Sequence, residues 1–189
     1  MKVRCVWAQD PRFHPYHDEE WGVPVHDDRK HFEFLLLEGA QAGLSWATIL
    51  NRREGYRNAF EELDPRRVAL FDEDRLMQLM QDCTIIRNKL KINSAVNNAR
   101  RFLEIQREFG SFDEFIWSFV GNKPIQNHWQ SVSQIPAKTE ASERISKELK
   151  GRGFTFVGPT IIYALMQAVG LVNDHETGCF RYEEVRDLA

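Results

Sequence analysis

Apolar residues recur with a helical period along most of this 189-residue chain, and no segment shows the alternation typical of a half-buried β-strand. The clearest case is a long helix predicted from about Ile86 to Phe109 and ended by Gly110. Its apolar positions, three or four residues apart, are Ile92, Val96, Ala99, Phe102 and Ile105. Such spacing puts one apolar stripe on the helix face that meets the core. The sequence therefore predicts an all-α fold.

Residues that typically cap or open helices mark the starts of the other predicted helices. These starts are Asp27 (helix toward Gly39), Ser45 (helix with apolar positions to Phe60), Asp64–Pro65, Glu73, Ser111 with Glu114 as a capping box, and Pro159. A further helix passes through Ile145 and Leu149. The segment 122–139 is polar, contains two prolines and is predicted to be a loop.

Composition indicates one globular domain over residues 1–189, because 42% hydrophobic and 28% charged residues are ordinary for a folded protein. Three cysteines, an odd count without scaffold spacing, argue against a disulfide framework. We expect a cytoplasmic protein with no membrane partner, since no apolar run could span a bilayer and the first residues lack a secretory pattern. We also expect a monomer. The net charge of −3 does not favour nucleic-acid binding, so any DNA contact must use local basic clusters.

One such cluster lies in the segment 147–160, where a glycine-rich turn joins two helices. The first turn of the helix at Pro159 offers unpaired N–H groups, which together with the helix dipole favour a phosphate. The candidate DNA-binding residues are Lys147, Lys150, Arg152, Gly153, Gly158 and Thr160. From the glycines alone, an ordinary helical hairpin is the commoner interpretation.

Two cysteines and two histidines form a candidate metal site. His175 and Cys179 are four residues apart, which places them on one face of a helix or tight turn, while Cys5 and His17 lie at the other end of the chain. Two thiolates and two imidazoles complete a closed, structural zinc shell. From spacing alone, scattered buried cysteines and surface histidines fit equally well or better. We expect the other histidines (His14, His26, His31 and His128) to be solvated and Cys83 to be a small apolar filler.

Aromatic residues crowd around one acidic residue in the first 46 positions. Glu38 lies in an apolar stretch, and a buried carboxylate is costly unless it has a partner, so it suggests a functional task. Trp7, Tyr16, Trp21 and Trp46 offer flat faces on which a planar base could stack. Core packing of these aromatic residues, with Glu38 on a polar helix face, remains the competing interpretation.

Seven stretches together resemble the constitutive bacterial DNA-3-methyladenine glycosylase I family, within the helix-hairpin-helix glycosylases. They are Cys5 with Trp7, YHDEEWGVP at 16–24, LEGAQAGLSW at 37–46, IIRNK at 85–89, WSF at 117–119, GFTFVG at 153–158, and GLVNDH at 170–175 followed by Gly178-Cys179. They follow one another over nearly the whole chain. Two departures are visible: Phe13 stands where a family member carries tyrosine, and the gap from Cys5 to His17 is slightly short.

The resemblance implies a helix-hairpin-helix glycosylase fold whose N- and C-terminal segments are joined by structural zinc on Cys5, His17, His175 and Cys179. The zinc-binding termini would be residues 1–26 and 171–182, and the helical core 27–170. It also implies that Glu38, Tyr16 and Trp46 receive the base, with Trp7 and Trp21 lining the pocket.

On this basis the chain is expected to hydrolyse the N-glycosidic bond of 3-methyladenine in alkylated double-stranded DNA. The product would be an abasic site, without lyase cleavage, since no lysine has a clear case as a nucleophile. Glu38 is expected to be ionised when it meets the cationic base. Asp174 adjoins His175, and we expect it to serve either as a catalytic aspartate or as support for that zinc ligand. A non-catalytic damage sensor and a zinc hydrolase of helical fold remain alternatives.

Overall fold

The computed structural model describes residues 2–188 and is mostly helical. The α-helices are α1 (His14–Glu19), α2 (Asp28–Gln41), α3 (Trp46–Leu50), α4 (Arg53–Ala59), α5 (Pro65–Val68), α6 (Glu73–Leu79), α7 (Lys89–Phe109), α8 (Phe112–Ser118), α9 (Glu140–Gly151), α10 (Pro159–Ala168) and α11 (Arg181–Arg186). Two short strands, β1 (Ile125–Gln126) and β2 (Val172–Asn173), pair in parallel, with Ile125 opposite Val172. The predicted all-α class is confirmed.

Helix α2 is the centre of the fold. Every residue from His31 to Ala40 is buried, because α2 contacts α3, α7, α8 and α10 on its different sides. Asp27 caps its start by accepting a hydrogen bond from the backbone N–H of Lys30 at 2.8 Å. A helix that is covered all round buries any polar residue it carries, and this places Glu38 inside the protein.

Several predicted caps are confirmed. The side chains of Asp27, Ser45, Asp64 and Ser111 each accept a hydrogen bond from a backbone N–H of the helix that follows. The predicted boundaries differ in two places. Helix α7 begins at Lys89 with Asn88 as its cap, not near Ile86. The apolar positions between Ser45 and Phe60 belong to two helices, α3 and α4, because the chain turns at residues 51–52.

The segment 122–139 is not wholly irregular, since it contains β1 and a 3-10 turn at Val132–Gln134. A two-residue ladder is too short to show any sequence period, so the pattern of apolar residues could not reveal it. Its partner β2 lies 47 residues away in sequence, and only tertiary packing brings the two strands together.

Two expectations about single residues are wrong. His31 is 1% exposed rather than solvated, and its Nε2 lies 2.8 Å from Oδ1 of Asp113, which provides a polar partner inside the core. Cys83 is exposed rather than an apolar filler. It lies in the connection between α6 and α7, where its backbone carbonyl accepts a hydrogen bond from Arg52, and a loop position of this kind leaves the side chain outside.

The two ends of the chain meet at the end of α10. The backbone N–H groups of Gly22 and Val25 donate to the carbonyls of Gln167 and Val169. Gly170 has a φ of +73°, and a Cβ there would lie 2.4 Å from the carbonyl carbon of Val23, so only glycine fits. Within residues 2–188, no helix has both the length and the apolar character needed to cross a membrane.

Candidate active site and metal centre

A cavity of about 420 Å³ opens between α1, α2, α3, α10 and the segment after β1. Its lining residues are Trp7, Tyr16, Trp21, Glu38, Gln41, Trp46, Val132, Ile135, Pro136, Ala137, Thr160, Tyr163, Ala164 and Gln167. The five residues that the sequence suggested for a base pocket are all among them. A cavity of this size, mostly apolar with a few polar groups, is suited to a small planar ligand.

Glu38 is the one carboxylate among these lining residues. It is 4% exposed, and its Oε2 has no hydrogen-bond partner among the described residues. Burial raises the pKa of Glu38 to about 8, because removing the carboxylate from water disfavours its charged form. The pocket therefore presents a buried acid that has no partner for Oε2 among the described residues.

Glu33, also buried on α2, differs from Glu38 because it has cationic partners. Arg53 Nε and Arg57 Nη2 lie 2.8 and 2.9 Å from its Oε1. Burial alone would raise the pKa of Glu33, but the hydrogen bond and charge of Arg53 lower it to about 2. The fold thus supplies a cation to Glu33, whereas Glu38, the other buried glutamate of α2, has none within residues 2–188.

Aromatic rings form the walls beside Glu38. The rings of Tyr16 and Trp46 lie 5.3 Å apart at 48°, and those of Trp7 and Trp21 lie 4.9 Å apart at 72°. The indole N–H groups of Trp7 and Trp46 are buried and have no partner among the described residues. Burial, and secondarily the charge of Glu38, keeps the pKa of Tyr16 well above its usual value, so its hydroxyl stays protonated. These groups offer stacking faces and hydrogen-bond donors to a planar ligand.

Phe13 lies behind this wall, with its ring 5.9 Å from that of Trp7 in an edge-to-face arrangement. It packs against the pocket aromatic but brings no hydroxyl. The departure from the family pattern at this position therefore leaves the wall filled and removes one polar group.

Cys5, His17, His175 and Cys179 are brought together in a buried cluster that could hold a metal ion. The ligand atoms lie within 4.8 Å of one another. Sγ of Cys5 is 3.5 Å from Nδ1 of His175, and Sγ of Cys179 is 3.5 Å from Nε2 of His17. Zinc bonds of about 2.3 Å to sulfur and about 2.0–2.1 Å to nitrogen give a tetrahedral sulfur–nitrogen edge of about 3.5–3.6 Å. Donor set and spacing both fit zinc.

The two imidazoles are held in opposite tautomers. His17 donates from Nδ1 to Oδ1 of Asp18 at 2.8 Å, since a carboxylate only accepts, and turns Nε2 to the cluster. His175 donates from Nε2 to the carbonyl of Trp21 at 3.0 Å and turns Nδ1 to the cysteines. Arg4 holds the far side of Asp18 through a salt bridge of 2.6 Å. Asp18 and Arg4 escaped the sequence analysis, although Asp18 adjoins a predicted ligand.

The candidate metal centre lies directly behind the cavity wall. The ring of Trp21 is 4.7 Å from that of His175, and the ring of Trp7 is 5.3 Å from that of His17. Because both tryptophans line the cavity, a metal that fixes the two histidines also fixes two walls of the pocket.

The predicted hairpin is formed by α9, a turn, and α10. Gly153 has a φ of +86°, and Gly158 is the N-cap of α10. Lys147 and Lys150 are exposed on α9. Arg152 is not free: it forms ion pairs of 2.6 Å with Glu108 and 2.8 Å with Glu148. Thr160 lines the cavity, so the hairpin and the pocket are adjacent.

Asp174 does not support the adjoining His175, contrary to one of the two expectations for it. Its carboxylate accepts hydrogen bonds from Asn127, Trp129, Tyr163 and Gln167. His175 instead donates to Trp21, as described above. Asp174 is 1% exposed and is not among the cavity-lining residues. Although Asp174 and His175 are adjacent in sequence, their side chains bond to different partners.

One face of α10 was missed by the sequence analysis. Thr160, Tyr163, Ala164 and Gln167 follow one another at intervals that place them on one side of the helix, and all line the cavity. Polar and small residues at helical spacing, on a helix that is otherwise apolar, are the signal that could have revealed this wall. The other missed wall, residues 132–137, has no such signal because it is irregular.

Comparison with known proteins shows the family of the chain. The model of the methyladenine glycosylase family matches residues 7–182. The chain belongs to the methyladenine glycosylase family. Glycosylases of this family are hydrolases that break N-glycosyl bonds, so the chain is an enzyme.

Individual relatives cover almost the whole chain. DNA-3-methyladenine glycosylase 1 of Escherichia coli is 49% identical, over 95% of this chain and 96% of the relative. A crystal structure of 3-methyladenine DNA glycosylase I superposes with a TM-score of 0.91 at 50% identity, covering 94% of this chain and 98% of the other. A tyrosine-to-phenylalanine variant of 3-methyladenine DNA glycosylase I in complex with 3-methyladenine gives a TM-score of 0.91 at 34% identity, covering 94% and 96% of the two chains.

Proposed function

We propose that this glycosylase removes 3-methyladenine from alkylated double-stranded DNA by hydrolysing the N-glycosidic bond, leaving an abasic site. The observation that carries the proposal is Glu38, a buried carboxylate that has no cationic partner among the described residues and lies in an aromatic cavity. N3-methylation makes the adenine base cationic while it is attached to its sugar. Such a base supplies the charge that Glu38 lacks and is itself a good leaving group.

Binding begins with extrusion of the damaged nucleotide from the duplex, which costs a few kcal/mol and least for a poorly paired base. The base would stack between the aromatic walls, where Tyr16 and Trp46 flank Glu38. A cation beside Glu38 lowers its pKa below the value of about 8 that burial imposes. Glu38 is then ionised and favours cationic over neutral adenine.

We infer a monofunctional enzyme without lyase activity. A Schiff base needs a lysine amine at the sugar, and none of the cavity-lining residues within 2–188 is a lysine. Lys91, near the end of α2, donates instead to the carbonyls of Ala40 and Ala42 at 2.8 and 2.7 Å. Strand cleavage is therefore not expected to accompany base release.

The hairpin would hold the DNA backbone near the pocket. Its helix N-terminus at Gly158 and the exposed Lys147 and Lys150 are suited to phosphate. Arg152 is better explained as a structural tie, since it is paired with two glutamates. We propose that the bound metal is structural zinc, that the protein acts as a monomer, and that residues 1–26 and 171–182 flank a core of 27–170.

The decisive test measures bases released from methylated double-stranded DNA by chromatography, with strand breaks measured before and after alkali. The intact enzyme should release 3-methyladenine and leave breaks that appear only after alkali. Glu38→Gln keeps the shape but loses the charge, and should slow release by at least about a hundredfold. Glu19→Gln, which makes the same change at an exposed glutamate on α1, is the matched control. Tight binding of methylated DNA without release would make the chain a damage sensor instead.

A further inference from the structure

Asp174 lies immediately behind the wall that α10 contributes to the cavity, and four donors surround its carboxylate. Asn127 Nδ2 and Trp129 Nε1 lie 2.7 and 2.8 Å from Oδ1. Tyr163 Oη and Gln167 Nε2 lie 2.5 and 2.8 Å from Oδ2. A carboxylate has about four lone-pair sites, and all of them are used. This accounts for a buried acid that would otherwise be costly.

The direction of these hydrogen bonds fixes the polarity of the wall. Burial and the neighbouring carboxylate raise the pKa of Tyr163 far above its usual value, so Tyr163 keeps its proton and donates it to Asp174. Gln167 turns its amide nitrogen to the same oxygen. Tyr163 is left with a phenolic oxygen that can only accept a hydrogen bond from a ligand. Gln167 is left with its carbonyl oxygen, which accepts, and with the second N–H of its amide.

We propose that Asp174 is a positioning residue: by binding the Tyr163 hydroxyl and the Gln167 amide nitrogen it leaves the acceptors of both side chains for the base, and thereby favours adenine over guanine. The two purines differ in this respect at position 6, where adenine carries an amino donor and guanine a carbonyl acceptor. An amino group placed against the Tyr163 oxygen and the Gln167 carbonyl is paired, whereas a carbonyl placed against the Tyr163 oxygen stays unpaired, which is costly in a buried site. This inference rests on the proposed function and specifies how its pocket selects the base.

An Asp174→Asn substitution should exchange acceptors for donors at Tyr163 and Gln167 rather than merely weaken their hydrogen bonds to residue 174. Trp129 has an indole N–H that only donates, so the carbonyl oxygen of the introduced amide must stay toward Trp129. The nitrogen of that amide then faces Tyr163 and Gln167, both of which can accept. The Gln167 amide turns over, and both side chains present N–H or O–H donors to the cavity.

The experiment compares single-turnover release of 3-methyladenine and 3-methylguanine from the same methylated DNA. We expect Asp174→Asn to lower the ratio of the 3-methyladenine rate to the 3-methylguanine rate by about tenfold or more, which corresponds to about 1.4 kcal/mol. Gln167→Met, which removes the acceptor but keeps the volume, should lower the ratio without reversing it. Because Asp174→Asn also disturbs a buried network, the ratio is compared only after thermal melts show that each variant is folded.

Trp129→Phe is the matched control. It removes one hydrogen bond from the same carboxylate but leaves Tyr163 and Gln167 bonded to Asp174, so the melting temperature should fall while the base ratio stays. If Gln167→Met is folded and has the ratio of the unmodified enzyme, or if Asp174→Asn slows both bases equally, Asp174 is only structural and the inference is wrong. If the unmodified enzyme releases neither base, the proposed function itself fails.

Discussion

Asp18 accepts a hydrogen bond of 2.8 Å from Nδ1 of His17, and this contact leaves Nε2 of His17 facing Sγ of Cys179. The imidazole is thereby held in the tautomer and orientation that a metal requires. Arg4 pairs with the outer side of Asp18 through a salt bridge of 2.6 Å and so helps to hold the carboxylate in place. Asp18 and Arg4, which do not line the cavity, thus support one ligand of the candidate metal centre.

The purified chain should contain one zinc ion. Replacing Cys179 with serine removes a ligand and should lower the melting temperature by about 10 °C or more, since a structural metal contributes directly to folding. Metal content by plasma mass spectrometry and a thermal melt measure both effects. Cys83→Ser changes an exposed cysteine outside the cluster and should alter neither. An unchanged zinc content in Cys179→Ser would show that the metal is bound elsewhere.

Asp18→Asn should weaken zinc binding by about ten- to a hundredfold, because an amide orients the imidazole of His17 less firmly than a carboxylate does. Competition with a chelator of known affinity measures the change. Glu19→Gln, next in the chain and exposed, is the control. Equal affinities in the two variants would mean that Asp18 serves only its salt bridge with Arg4.

Glu38 should make the empty enzyme less stable as the pH rises. Its pKa is about 8 in the folded protein against an ordinary value of 4.5, so the unfolded chain loses this proton first. The stabilising effect is complete below about pH 4.5 and is lost as the pH rises through about 8. Glu38→Gln should therefore be more stable than the unmodified protein at pH 8.5, by at most about 5 kcal/mol, with the difference vanishing near pH 4. Urea unfolding of both proteins at pH 4 and pH 8.5 measures this difference in stability. Identical unfolding curves of the two proteins at pH 8.5 would contradict the prediction.

Binding of a fixed cation should expel the Glu38 proton. With 3,9-dimethyladenine, whose ring system is cationic, calorimetry at pH 7 in buffers of different ionisation enthalpy should report release of close to one proton per complex. In Glu38→Gln the release should disappear along with most of the affinity. Release that persists in the variant would assign the proton to another group.

Lys147→Ala and Lys150→Ala should each weaken binding of undamaged DNA and reduce the slope of log affinity against log salt by about 1. Fluorescence anisotropy at several salt concentrations measures both quantities. Arg66→Ala, on α5, serves as the charge-matched control. Arg152→Ala should act mainly on thermal stability, because Arg152 is paired with Glu108 and Glu148. If Arg152→Ala reduced the slope of log affinity against log salt as much as Lys147→Ala does, Arg152 would contact DNA after all.

The sequence predicted a helix well where a capping residue directly precedes a segment with helical spacing of apolar residues. Asp27 before α2 and Asp64 before Pro65 are examples, since a capping side chain and the helix it serves are within three residues of each other. The same logic failed for the start of α7 and for the break between α3 and α4, where apolar spacing continues through a turn. Burial of His31 was also missed, because its partner Asp113 is 82 residues away.

The sequence by itself determined the helical class, the family, the four-residue spacing of His175 and Cys179, and the oddity of an acid among leucines at Glu38. These properties reside in local spacing and in the order of motifs along the chain. Only the tertiary structure decided that Glu38 has no cationic partner among the described residues while Glu33 pairs with Lys30, Arg53 and Arg57. It also decided that Asp174 bonds to Tyr163 and Gln167 rather than to His175. The reason is physical: the pKa and the hydrogen-bond direction of a buried group depend on which distant side chains fill the space around it.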